Sequence, residues 1–262
     1  MIHSLQPVTY PHVANQTFSA LFLAPSSRLE IRHLQDWLDS GIDELTVREL
    51  GVKTSLSGDS WVIPFWDIDK TEILSFRAKF DPEVVKSNKY PSRKKGSRTP
   101  KYISSSEFGN RFFYPHLKDV DWKRIAQDIN MPIFITEGEK KATKLTVEGY
   151  PSIGLTGTDC WVRRRKFMHE GTTRIFSKTV PIDDFNLLKW KDRLVYLVFD
   201  ADKYGNENVL RSEALLLRYL KNELSADCRV VNLPFDPHCK GIDDFFVKHG
   251  EHAKEEFERL IY

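Results

Sequence analysis

Four short, almost wholly apolar runs in the second half of the chain constrain its fold more than any other feature. They are PIFIT at 132–136, PSIGL at 151–155, LVYLVF at 194–199 and CRVVNL at 228–233. Each is too short for a buried helix, and stretches with helical spacing lie between them at 139–148 and 207–223. Strands that are apolar on both faces and alternate with helices belong to a parallel sheet covered on both sides. Between the second and third runs lie residues 156–193, far more than the roughly 2–6 residues of an ordinary α/β loop. That segment is read as an insertion with short elements of its own.

The first half has a different pattern. Leu29, Ile31, Leu34, Trp37 and Leu38 fall near helical spacing, Ser40-Gly41 reads as a stop, and a second short helix is expected from Asp43. From Trp61 the runs WVIPFWD and ILSFRAKF, separated by a polar turn at 67–70, predict a β-hairpin. The chain therefore divides into a helical region at 1–58, a β-rich unit at 59–130 and an α/β unit at 131–262. Charge divides with it: residues 59–118 carry twelve basic and seven acidic side chains, whereas 131–262 carry twenty-one of each. Seven basic residues and no acidic one lie in 84–101, along with two prolines and a glycine, which predicts a mobile basic loop.

The whole chain, with 39 basic and 37 acidic residues in 262, has a net charge of only +2, so electrostatic arguments have to be local. A 40% hydrophobic content is enough for a real core. Cys160, Cys228 and Cys239 form no Cys-x-x-Cys pair, so neither a zinc ribbon nor a disulfide framework is expected, and free thiols suit a reducing cytoplasm. No apolar run approaches the roughly 20 residues of a membrane span, and the first residues lack a secretory pattern. A cytoplasmic protein with no membrane partner is expected.

In parallel α/β sheets the ligand site lies beyond the carboxyl ends of the strands. Here those positions are acidic: Glu137-Gly138-Glu139-Lys140-Lys141 after the first run, Asp200-Ala201-Asp202 after the third, and Gly241-Ile242-Asp243-Asp244 shortly after the fourth. Taken singly, each acid is also a common helix cap or first-turn residue. Together they form a set of hard oxygen donors that repel one another unless a cation neutralises them, which suits Mg²⁺ or Mn²⁺.

This order of motifs resembles the Toprim domain of bacterial-type primases, topoisomerases and some nucleases, and especially a variant common in plasmid, phage and mobile-element proteins. The resemblance covers residues 131–262. Upstream, Trp61–Phe65, Phe76-Arg77 and Thr99–Ser104 are similar in order to the β-rich subdomain that precedes Toprim in primases. The primases' amino-terminal zinc-binding module and carboxyl-terminal helicase-binding domain have no counterpart in the sequence.

The resemblance implies a Toprim-type parallel sheet flanked by helices, preceded by a smaller α+β basic subdomain. It further implies two Mg²⁺ or Mn²⁺ ions held among Glu137, Asp200, Asp202 and Asp243, with Asp244 beside them. Glu137 would be the general acid or base, and Asp200 and Asp202 the principal ligands. The expected activity is a primase-type nucleotidyl transfer using single-stranded DNA or RNA and nucleoside triphosphates, with a separately encoded replicative helicase as a partner. A metal-dependent nuclease and a non-catalytic nucleic-acid-binding subunit remain open beside it. Arg77, Lys79, Lys101, Arg93, Lys94 and Lys95 are expected to meet phosphates. Lys140 and Lys141 are candidate phosphate contacts as well, although, adjacent on a helix, one of them is expected to point away. Arg163, Arg164 and Arg165, beside a Trp161 suited to base stacking, form a second basic run.

Overall fold

The computed structural model describes residues 6–7, 22–91, 96–104, 109–168 and 175–262, and of Gln6, Pro7, Met168, Ile175, Phe176, Asp202 and Tyr204 the backbone alone. After a two-residue strand β1 (Gln6–Pro7), helix α1 (Ile31–Leu38) ends before Ser40-Gly41. Helix α2 (Glu44–Glu49) starts where Asp43 accepts a hydrogen bond from the Thr46 amide at 2.7 Å, satisfying one of the amides that a helix start leaves unpaired. Strands β2 (Lys53–Thr54), β3 (Ser60–Trp66) and β4 (Ile73–Phe80) follow. The last two form the expected hairpin, its turn closed by the Asp67 carboxylate, which accepts from the Thr71 and Glu72 amides.

Trp37, Ile42 and Val47 share one core with Trp61, Ile63 and Phe65, so the helical region and the β-hairpin fold onto each other. Part of the segment read as a mobile loop is ordered. Helix α3 (Pro82–Lys86) begins on a proline, whose missing amide costs nothing there, and the Tyr90 ring packs on Phe22 and Phe80. Strand β5 (Tyr102–Ser104) completes an antiparallel sheet in the order β2-β3-β4-β5.

Helix α4 (Trp122–Gln127) leads into the second half. There β6 (Ile133–Glu137), α5 (Glu139–Val147) and β7 (Ser152–Leu155) are followed by the insertion, an antiparallel hairpin of β8 (Val162–Met168) and β9 (Ile175–Pro181). Then come β10 (Leu194–Val198), α6 (Glu207–Asn222), β11 (Asp227–Val230), α7 (Ile242–His249) and α8 (Ala253–Ile261). The four apolar runs form one parallel sheet in the order β11-β10-β6-β7, as the alternation predicts. Its side chains alternate between two cores. Ile133, Ile135, Val195 and Leu197 meet α4 and α6 through Ile125, Leu216 and Leu220, whereas Phe134, Tyr196 and Val198 meet α5, α7 and α8 through Leu145, Phe245 and Phe257.

From β6 the chain winds outward to β7 with α5 on one face. From β10 it winds the other way to β11 with α6 on the opposite face. Reversing both direction and face keeps the two crossovers of one hand. The reversal lies between β6 and β10, where open α/β sheets form a ligand crevice.

The return from the insertion is locked by Arg193, which is fully buried. Its guanidinium donates to the carbonyls of Ile125, Ala126 and Asp128 at 2.8, 3.1 and 2.8 Å, closing the end of α4. Arg193→Met keeps the apolar stem and removes the donors. With a buried unsatisfied group costing roughly 1–3 kcal/mol, a loss of about 3 kcal/mol or more is expected in urea unfolding.

Candidate functional site

The motif acids gather at the crevice. Strand β6 ends on Glu137, and Gly138, at φ +94° and ψ 156°, adopts a backbone conformation open essentially to glycine alone. The chain thereby turns at once into α5, leaving Glu137 at the sheet edge and Lys140 and Lys141 in the first helical turn. Asp200 follows β10 after one residue, Phe199, and directly precedes the short turn Ala201–Gly205. The Ala201 amide donates to the Lys240 carbonyl at 2.8 Å, joining this turn to the loop that starts α7. Glu137, Asp200 and Asp243 all line one cavity of about 270 Å³. Asp202 lies in the turn Ala201–Gly205, and its side chain is outside those described. Asp244 is used as a cap: its carboxylate accepts from the Lys240 and Gly241 amides, both at 3.2 Å.

Among the described residues no three acidic, histidine or cysteine side chains form a ready metal cage. A lysine stands among the acids instead. Lys141 Nζ lies 2.6 Å from the Asp200 carboxylate. Burial, the largest influence on Lys141, opposes its charge, but Asp200, then Asp243, with Glu137 further down, outweigh it and raise its pKa above the ordinary value. Asp243 is 5% exposed; one oxygen accepts from Ser40 Oγ at 2.9 Å, and the other is buried with no hydrogen-bond donor. A Cβ at Gly241 would stand 2.5 Å from that oxygen and 2.5 Å from Lys141 Cε, so glycine here is what gives the carboxylate room. A buried carboxylate oxygen lacking a donor, set among hard oxygen donors, fits a divalent cation.

The opposite wall comes from the antiparallel sheet and α1. Lys79 donates to both oxygens of Asp36, at 2.7 and 2.8 Å, and lies over the Trp61 ring. Lys140 donates to the Asp36 carbonyl at 2.8 Å and lies 3.2 Å from its carboxylate. Lys140 and Lys141 thus both reach the cleft, contrary to the expectation that one must point away, because the first turn of α5 is wedged between α1 and the sheet edge. Burial works against the Asp36 charge, but Lys140 and Lys79 together hold the carboxyl below its usual range. Lys101 is exposed on the rim, above the Tyr102 ring.

Arg77 is a tie between units rather than an open phosphate ligand: it is buried, stacks over Tyr102 and pairs with the buried Glu139 at 2.5 Å. Arg93, Lys94 and Lys95 lie outside the described residues. Arg163 and Arg165 pair with Asp183, while Arg164 faces solvent. Trp161 is buried and stacked on Tyr219, which removes it from base stacking. Asp36 was not singled out from the sequence, and neither was the pairing of Ser40, read as a helix stop, with Asp243 or of the motif acid Glu139 with Arg77, since each gains its role from a partner distant in the chain.

A family model described as a domain of unknown function (DUF3854) matches residues 121–253, just over half of the chain. The chain belongs to the DUF3854 family. The matched stretch runs from the cap of α4 to the start of α8 and contains every motif acid, the paired lysines of α5 and the inserted hairpin. Asp36, Ser40, Lys79 and Lys101 lie outside the DUF3854 stretch. An uncharacterized protein of Picosynechococcus sp. is 31% identical over 138 residues, covering 50% of this chain and 13% of that protein's length.

The balance on the lysine wall has a pH signature. Burial pushes the Lys79 ammonium down from 10.5 to about 8; Asp36 opposes this, and neighbouring Lys140 adds to it. Above pH 8 the folded protein sheds this proton while the unfolded chain keeps it up to about 10.5, so this group makes unfolding free energy rise with pH across that window. Chemical unfolding of wild type and Lys79→Met between pH 7 and 11 should show that rise reduced in the variant.

Proposed function

We propose that this DUF3854 protein is a Toprim-type, primase-like nucleotidyl transferase core. It would join ribonucleotides on single-stranded DNA in the cytoplasm, in plasmid or mobile-element replication, beside a separately encoded helicase. The observation that carries this reading is the buried, donor-less oxygen of Asp243 in the same cavity as Glu137 and Asp200, facing a lysine wall supplied by the other sheet. A mononuclear acid cluster would serve many reactions. Acids opposed by Lys79 and Lys101 across one cleft suit a substrate that carries a metal on one side and phosphates on the other.

Asp200 and Asp243 would hold Mg²⁺ or Mn²⁺, with Asp202 and Glu137 completing the set. Bound there, the ions supply positive charge to the attacking and leaving oxygens of phosphoryl transfer. Glu137, at the strand end, accepts the proton of the attacking hydroxyl. Lys101 on the rim and Lys79 within neutralise the non-reacting phosphates, and Ser40 keeps the Asp243 carboxylate in one rotamer. With a cation held by Asp200, Lys141, now paired with that carboxylate, would be placed to neutralise a substrate phosphate inside the cleft.

The deciding experiment incubates the protein with Mg²⁺ or Mn²⁺, labelled ribonucleotides and single-stranded DNA, and resolves products by size. Extended products are expected. Glu137→Gln should slow their formation by about 10²–10⁴-fold, the usual contribution of a general acid or base, and Asp200→Asn and Asp243→Asn should abolish it with the fold retained. Shortened DNA would assign the same acids to hydrolysis, and unchanged DNA with unincorporated label would make the fold a scaffold.

A further inference from the structure

Asp36 differs from the other carboxylate that ties the two sheets together. Glu139, on Arg77, is closed in at 4% side-chain exposure, whereas the Asp36 side chain is 26% exposed and lines the cavity together with Lys79 and Lys140. The two lysines hold its carboxyl below the usual range, so it carries its charge. Its two oxygens meet two ammonium groups, Lys79 at 2.7 and 2.8 Å and Lys140 at 3.2 Å. One anion sharing its oxygens between two lysines is also the way a phosphate is held.

Each lysine has a second hold that does not involve this carboxylate. Lys79 Nζ lies over the Trp61 ring, 4.8 Å from its centre, and the ring face attracts a cation. Lys140 donates to the main-chain carbonyl of Asp36 at 2.8 Å, in the last turn of α1, where helix carbonyls lack intrahelical partners and favour positive charge. Helix α1 itself is anchored by Leu34 and Trp37 in the core they share with Trp61. The carboxylate can therefore leave while the backbone and both ammonium groups stay in place, since rotation about its Cα–Cβ bond turns it toward the solvent to which it is already partly open.

We infer that Lys79 and Lys140 form a phosphate subsite which the Asp36 carboxylate occupies in the absence of ligand, so that a polyphosphate binds there by displacing a built-in mimic of itself. This rests on the reading of the lysine wall as phosphate-facing and adds an internal competitor to it. The competitor makes the subsite selective. A singly charged anion offers the two lysines no more than Asp36 already does. A polyphosphate brings more charge and reaches the exposed Lys101 on the rim of the same cavity as well.

The test is isothermal titration calorimetry with inorganic pyrophosphate, in EDTA and without nucleic acid. It is run at about pH 6.5, below the Lys79 value of about 8, so that this ammonium keeps its charge. Asp36→Asn and Asp36→Ser remove the competing charge, and each is expected to bind pyrophosphate at least about tenfold more tightly than wild type. Adding Lys79→Met or, separately, Lys140→Met to Asp36→Asn should cancel the gain, and circular dichroism checks the fold of every variant. Binding by both single variants that is equal to wild type or weaker, undetectable binding included, would overturn the inference and leave Asp36 a structural tie. A gain that survives the loss of either lysine would overturn it too, because the phosphate would then be held elsewhere. The titration needs neither metal nor turnover, so a failed nucleotidyl-transfer assay leaves its outcome readable.

Discussion

The buried pair of Arg77 and Glu139 fixes how the antiparallel sheet sits on the edge of the parallel one. Arg77 comes from β4 and Glu139 from the first turn of α5, and both are nearly inaccessible to water. Their mutual attraction mostly offsets the cost of desolvating them, so the pair adds little net stability. Its effect is on geometry: any other docking would leave a charge buried without a partner, at several kcal/mol. Asp36 makes the same argument twice, since it holds Lys79 from one unit and Lys140 from the other. These contacts set the width of the cleft, and the rest of the site is arranged inside the limits they impose.

Within those limits charge is kept in balance without a ligand. Glu137, Asp200 and Asp243 all line the cavity, and Lys141 supplies the positive charge that lets them coexist. In the same cavity Asp36 lets Lys79 and Lys140 lie close together. A crevice at a winding reversal is a geometric consequence of the sheet order; a crevice that stays folded while lined by this many charges needs the internal pairing as well.

Those two properties differ in how far the sequence revealed them. The four parallel strands were legible because each apolar run is a local signal, and so were the helix start at Asp43 and the turn at Asp67, whose partners lie within a few residues. The acids at the strand ends were legible for the same reason. What a basic side chain would touch was not. Arg77 reads as a phosphate ligand until Glu139, 62 residues away, closes on it, and Ser40 has no visible role until it meets Asp243, 203 residues away. Trp161 followed by three arginines suggests an exposed aromatic beside a basic patch, yet the ring fills the core between Phe185 and Tyr219 because the hairpin turns outward only after it.

Sorting the cations by their partners gives the cleft a further property. Arg77, Lys79, Lys140, Lys141, Arg163 and Arg165 are each matched by a carboxylate, whereas Lys101 and Arg164 have no acidic partner among the described residues. In the proposed reading, long-range attraction of a polyanion would therefore fall to exposed cations such as Lys101, because the paired cations present almost no net field to solvent. Entry of a ligand into the cleft would then be an exchange. In the proposed reading a phosphate drawn to Lys79 would compete with Asp36, and a cation drawn to Asp200 with Lys141, so either alone would leave an unmatched charge in a partly buried site. A nucleoside triphosphate arriving with its metal offers both charges at once and preserves the balance. In the proposed reading this favours the metal–nucleotide complex over either component, by the same charge matching that holds the two sheets together.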